Sequence, residues 1–267
     1  MRCGVPSPVV DLRFSLAGLI VGTIVGLTGV GGSAILAPVL ILFLGVKPSI
    51  AIGTDLLYSV PTKLFALGLH ARRKTVDWRI VRWLLAGGVP GALGGLAAFA
   101  ILRSRIGHAT LEVALRHAIG CAILLACVGA VATWIVRRNR ESQAREDASP
   151  ALPVVPVVAI GAVVGFLVAL TSIGSGSVTL PLLVLVVPAV ALRRLIGSEI
   201  AFAAFLVPLA AVGHLGFGDA NLGMAAALLV GSLPGVWIGS RLVPLVGDGW
   251  LRPIVVGTLA FAGSRLV

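Results

Sequence analysis

Thr28-Gly-Val-Gly-Gly-Ser-Ala-Ile-Leu-Ala-Pro38 and Thr171-Ser-Ile-Gly-Ser-Gly-Ser-Val-Thr-Leu-Pro181 are two versions of one stretch, 143 residues apart, and each interrupts an apolar run. Glycine in a helix interior costs roughly 1 kcal/mol relative to alanine, so a cluster of Gly and Ser marks a place where helix stops and restarts. In a bilayer such a break is tolerated only where protein or a water-filled cavity surrounds it. Both stretches therefore read as breaks inside a membrane-embedded chain.

The composition agrees. Of 267 residues, 58% are hydrophobic and 12% charged, and the mean hydropathy is +1.08. Ten apolar segments are expected, at about 14–28, 33–46, 49–70, 79–102 and 114–136, then 153–171, 177–191, 196–215, 222–244 and 251–266. The net charge of +11 would suit a nucleic-acid binder, but the basic residues lie in short loops with few interleaved aromatics, which is topogenic charge. Cys3, Cys121 and Cys127 form no metal-ligand or disulfide pattern. No metal, cofactor or nucleic-acid motif is present, and the absence of a Walker A sequence argues against ATP hydrolysis.

The chain is a tandem repeat. Residues 18–42 align with 161–185 at ten identical positions of twenty-five, and after a one-residue insertion Gly53-Thr54-Asp55 matches Gly197-Ser198-Glu199, His70 matches His214, and Gly87, Pro90, Gly91 and Gly95 match Gly231, Pro234, Gly235 and Gly239. Three regions follow: a first transmembrane repeat at 1–136, a polar cytoplasmic linker at 137–150, and a second repeat at 151–267. The expected fold is an all-α polytopic membrane protein of two inverted repeats, each a Gly-broken helical hairpin followed by about three transmembrane helices. Inversion rests on loop charge. Arg72, Arg73, Lys74, Arg79 and Arg82 follow the third segment, whereas the equivalent loop at 216–221 has no Lys or Arg, so the positive-inside rule puts the two on opposite sides. Arg2, Arg13, Arg103, Arg105 and Arg116 then fall on the outer side, against the trend. Segments one and two reach only roughly 21 to 23 Å, short of a hydrocarbon core of about 30 Å. They read as re-entrant, although segment six is long enough to cross.

Hairpins entering from opposite faces would bring both Gly/Ser turns near the midplane, with two helix N-termini aimed at one space. Helix N-termini bind anions, and half-helix ends at an inverted-repeat interface are where secondary transporters hold substrate. The expected anion site is Thr28, Gly29, Gly31, Gly32 and Ser33 with Thr171, Ser172, Gly174, Ser175, Gly176 and Ser177. Pro38 and Pro181 are expected to kink the helices that follow. Asp55 and Glu199 are expected as coupling or gating groups, because a carboxylate within a span costs about 2.5 to 3.5 kcal/mol on insertion scales. Lys63 is two turns beyond Asp55, too far for a pair along the helix, and has no partner evident in the sequence. His70 and His214 are expected near helix ends as gate or proton groups. The alternative explanation for the glycines is close helix packing, which fits Gly91, Gly95, Gly235 and Gly239 best.

In combination, the paired breaks, Gly53-Thr-Asp55, His70, Thr75-Val-Asp77-Trp-Arg79 and Gly87 to Gly95 resemble the sulfite exporter TauE/SafE family of bacterial permeases, over both halves from about residue 14 onward. The resemblance implies a multi-pass carrier of the bacterial inner membrane that moves sulfite, sulfoacetate or a related organosulfur anion outward. A monoanion leaving a negative interior gains about 2.3 kcal/mol per 100 mV, so export does not require Asp55 or Glu199 to carry protons. A proton-coupled importer would require it. An intramembrane serine hydrolase, with Ser175 or Ser177 as nucleophile and His214 as base, is the rival from another class.

Overall fold

The computed structural model describes residues 12–28, 32–138, 152–242 and 248–267. These form ten helices: α1 (Leu12–Thr28), α2 (Ser33–Leu42), α3 (Pro48–Arg72), α4 (Trp78–Arg105), α5 (His108–Arg138), α6 (Val154–Thr171), α7 (Thr179–Val186), α8 (Leu192–Phe217), α9 (Leu222–Leu242) and α10 (Asp248–Leu266). Each expected segment has its helix, and the first break separates α1 from α2 as the second separates α6 from α7. Six helices, α3, α4, α5, α6, α8 and α9, are long and apolar enough to cross a membrane, and α1 is a shorter apolar helix. Of the linker, only Arg137 and Arg138 belong to the described residues, as the end of α5.

The two halves are interlocked. α1 packs along α9, the fourth helix of the other half, and α6 packs along α4 in the same way. Small residues make both contacts possible: Gly18, Gly22 and Gly26 lie on the backbone at Leu228, Ser232 and Val236, while Gly87, Gly91 and Gly95 lie on that at Val158, Ala162 and Phe166. Residue numbers rise together in each set, so both pairs are parallel. Without a hydrophobic drive between helices in lipid, such backbone-to-backbone approach supplies the packing.

Two pairs of helices related by the sequence repeat, α3 with α8 and α5 with α10, pack antiparallel. Gly53 near the start of α3 abuts Asp219 just past the end of α8, and Gly197 near the start of α8 abuts Thr75 just past the end of α3. α5 and α10 cross likewise, with Gly120 near Gly263 and Val267 and the Cys127 thiol 3.5 Å from the Val256 carbonyl. Two of the arginines expected on the outer side have partners across the halves. Arg103 pairs with Asp219 and donates to the Phe217 carbonyl, and Arg116 donates to the Arg265 carbonyl. Asp219, in the α8–α9 loop, has its carboxyl raised above the ordinary value by burial, with Arg103 pulling the other way.

Candidate functional site at the second helix break

The repeated Gly-Thr-Asp and Gly-Ser-Glu triplets have a separate task for each residue. Glycine admits the opposite half's loop. The hydroxyl that follows clamps it: the Asn221 amide donates to Oγ1 of Thr54 at 3.2 Å, and the Asp77 amide donates to Oγ of Ser198 at 2.9 Å. Asp77 and Asn221 in turn cap α4 and α9 through their side-chain oxygens, accepting from the amides of Arg79 and Met224. Both hydroxyls are fully buried. Replacing Ser198 with Ala leaves the half-buried Asp77 amide without its acceptor, so Ser198→Ala is expected to lower stability by about 1 kcal/mol, read as a lower Tm of the detergent-solubilised protein, while Thr62→Ala, on a part-buried hydroxyl bonded only to its own helix, changes Tm little.

The acids at the third positions both reach the turn between α6 and α7. Ser172 donates from Oγ to Oδ2 of Asp55 at 2.5 Å. Four residues on, a methyl group placed on Gly176 would sit 3.3 Å from Oε1 of Glu199 and 3.8 Å from Nζ of Lys63. Lys63 finds its partner across the halves: its ammonium donates to Oε1 of Glu199 at 3.3 Å, with both side chains largely buried. One turn therefore touches an acid from each half and the cation from the first.

Local chemistry shapes that turn. The α6 helix ends at Thr171, whose Oγ1 bonds the Leu167 carbonyl and accepts from the Ile173 amide. Ser172 takes the left-handed conformation at φ 64° and Gly174 has φ +126°. The second value lies where side-chain-bearing residues are strained, so glycine is required there. The amides of Gly174, Ser175, Gly176 and Ser177 donate to no acceptor among the described residues. Two more polar atoms here are buried without a partner: Oδ1 of Asp55 and Oγ of Ser177. Buried polar atoms in folded proteins are overwhelmingly paired, so a cluster of unpaired donors and acceptors beside a buried ion pair marks a place built to hold something polar.

The other expected residues sort as follows. Gly32 faces Val25 and Tyr58, with the Tyr58 hydroxyl 4.0 Å from its added methyl. Gly29 and Gly31, and the side chains of Thr28 and Ser33, lie outside the described residues. Pro38 is inside α2, as expected. Pro181, by contrast, falls in the first turn of α7, because a four-residue turn at 175–178 precedes the helix. A proline there removes no intrahelical bond, so Pro181 opens α7 where it was expected to interrupt a helix. His70 is hydrogen-bonded to Thr75 at 2.8 Å. His214 is fully buried, its Nε2 2.9 Å from the Ala169 carbonyl and its ring edge-on to Phe99 with centroids 4.7 Å apart. A serine–histidine dyad with Ser175 or Ser177 is not assembled among these contacts.

Tyr58 was missed in reading the sequence. It is the chain's only tyrosine, buried one turn beyond Asp55, with its hydroxyl facing Gly32. A solitary phenol in an apolar helix close to an acid was the available signal.

Comparison with known proteins gives the family. The family model for the sulfite exporter TauE/SafE matches residues 14–266. The chain belongs to the TauE/SafE family. It is 38% identical over 259 residues to the probable membrane transporter protein YjnA of Bacillus subtilis (strain 168), covering 94% of this chain and 98% of that protein. It is 30% identical over 242 residues to the probable membrane transporter protein YunE of the same organism, covering 84% of each. No solved structure shows a significant match. A TauE/SafE chain with six candidate spans is a multi-pass membrane protein of the transporter class, consistent with the bacterial plasma membrane.

Proposed function

We propose that this TauE/SafE protein is a secondary transporter that exports sulfite or a related organosulfur anion by alternating access of two inverted repeats around the α6–α7 turn. The observation that carries the reading is the gathering of four unengaged amides, the unpaired Ser177 hydroxyl and the Lys63 ammonium at one buried turn. Such a set of donors in a place screened from water favours an oxyanion. Antiparallel packing of α3 on α8 and of α5 on α10 supports inversion, because repeat-equivalent helices that run oppositely belong to halves inserted in opposite senses. The parallel pairs α1–α9 and α4–α6 are the surfaces along which one half would rock against the other.

The test is efflux from liposomes loaded with sulfite, sulfoacetate, sulfate or chloride, with Gly174→Ala as the control. Flux of a sulfur oxyanion in the native protein is expected. In Gly174→Ala, whose φ of +126° costs an alanine about 1 to 3 kcal/mol, the turn shifts and flux falls at least about tenfold while the protein stays folded by gel filtration. Absence of flux for every anion in the native protein refutes the reading.

A further inference from the structure

The one cation that an anion would find here among the described residues is already engaged with one. The Glu199 carboxylate lies against Gly176 and holds the Lys63 ammonium at 3.3 Å, in the very place where the unengaged amides and the Ser177 hydroxyl gather. Resting on the anion-carrier reading, we propose that Glu199 is a tethered resident anion, which the transported anion displaces from Lys63 and which takes up a proton as it leaves, so that one proton accompanies each anion.

Charge balance requires the proton. Asp55 and Glu199 are both buried and Lys63 is the one cation that reaches them among the described residues. Even with Asp55 neutral, an incoming anion would set a second negative charge beside the Glu199 carboxylate against the single positive one of Lys63, in a region shielded from water where like charges repel most strongly. Protonating the displaced carboxylate removes that repulsion. The other charged and titratable groups near this end of α8 do not take over the task. Asp77 and Arg79 begin α4 beside Ser198, with Asp77 capping that helix and paired to Arg79 at 3.6 Å. His70 is held by Thr75, and Arg193 and Arg194 precede Glu199 on α8. α6 and α7 contain no titratable side chain.

Symmetry breaking singles out Glu199 over Asp55. The repeat equivalent of Lys63 is Val207, so Asp55 has no cation in that position and is held by the Ser172 hydroxyl instead. Only the Glu199 half offers a charge that can change partners. In the step itself an O–H bond forms at Glu199 with a proton from the aqueous side to which the site is open. After the anion departs on the other side, Glu199 returns to Lys63 and releases that proton there. For a monoanion the cycle moves no net charge, and the membrane potential ceases to be its driving force. Direction is then set by the anion and proton gradients together.

Calorimetric titration of the purified protein with sulfite, sulfoacetate and sulfate, in two buffers of different ionisation enthalpy, counts protons taken up per anion bound. Native protein is expected to take up about one more proton per anion than Glu199→Gln, which still binds. Sulfoacetate has no group titrating near neutrality, so an uptake of about one proton that persists in Asp55→Asn assigns the proton to Glu199 even if Glu199→Gln does not fold, and an uptake lost in Asp55→Asn overturns the assignment. Equal proton counts, or binding by native protein with no uptake from sulfoacetate solution, overturn the displacement of Glu199 and leave the anion carrier standing. Loss of binding in a folded Glu199→Gln also overturns it, by making the carboxylate a required ligand. No binding of any of the three anions by native protein removes the carrier reading, and this inference with it.

Discussion

Gly22→Leu is expected to prevent assembly of the protein, whereas Gly68→Leu is expected to be nearly silent. Both glycines lie within helices, so propensity alone would favour both substitutions. Their surroundings decide otherwise. A methyl at Gly22 meets the Ser232 carbonyl oxygen at 2.5 Å and its Cα at 2.8 Å, all backbone of α9, while nothing lies within 4 Å of Gly68. A flexible side chain could swing aside. A helix backbone cannot, so α1 and α9 must separate along their whole contact. Overpacking costs about 1 to 3 kcal/mol where a core adjusts, and the cost here exceeds that range because the contact is repeated at Gly18 and Gly26. Fluorescence-detected gel filtration of both variants checks this; a monodisperse Gly22→Leu peak with native Tm would contradict the packing argument.

Lys63→Met is expected to abolish transport and also to destabilise, and the two effects are separable. At about 4 Å and an effective dielectric near 20, a unit charge pair is worth about 4 kcal/mol, so losing the ammonium should weaken anion binding by at least about a hundredfold. Stability falls because Glu199 is left buried without its cation, which costs up to about 3 to 5 kcal/mol and less where the carboxyl takes a proton. Adding Glu199→Gln to Lys63→Met removes the stranded charge. The double variant should therefore recover Tm but not flux. Recovery of both would mean that Lys63 serves only to neutralise Glu199, and would move the anion site elsewhere.

The Lys63 and Glu199 partnership shows why part of the site was hidden from the sequence. Each residue stood out as an ionisable group in an apolar helix, since insertion cost is a property of the residue and its neighbours along the chain. Their pairing spans 136 positions, and nothing in local spacing tells a lysine on one helix which acid on another it will meet. Likewise Thr54 and Ser198 could be aligned as repeat equivalents, but their duty as clamps for Asn221 and Asp77 exists only once α3 packs antiparallel to α8. Pro181 illustrates the reverse case. Its place in an apolar run was plain, yet whether it kinks a helix or starts one depended on a turn whose end is set by the Gly174 conformation and the hydroxyl bonds of Thr171 and Thr179.

By itself, then, the sequence determined ten apolar helices, two breaks, the duplication and the acids placed beside those breaks, because hydrophobic run length, glycine's cost in helices and the price of burying charge all act locally. Tertiary structure alone decided that α1 joins α9 and α6 joins α4, that Lys63 crosses to Glu199, and that Tyr58 stands by the first break. The facing sides of α1 and α9 and of α4 and α6 are apolar or small, so hydrophobicity does not choose among those partners; the fit of one backbone against another does.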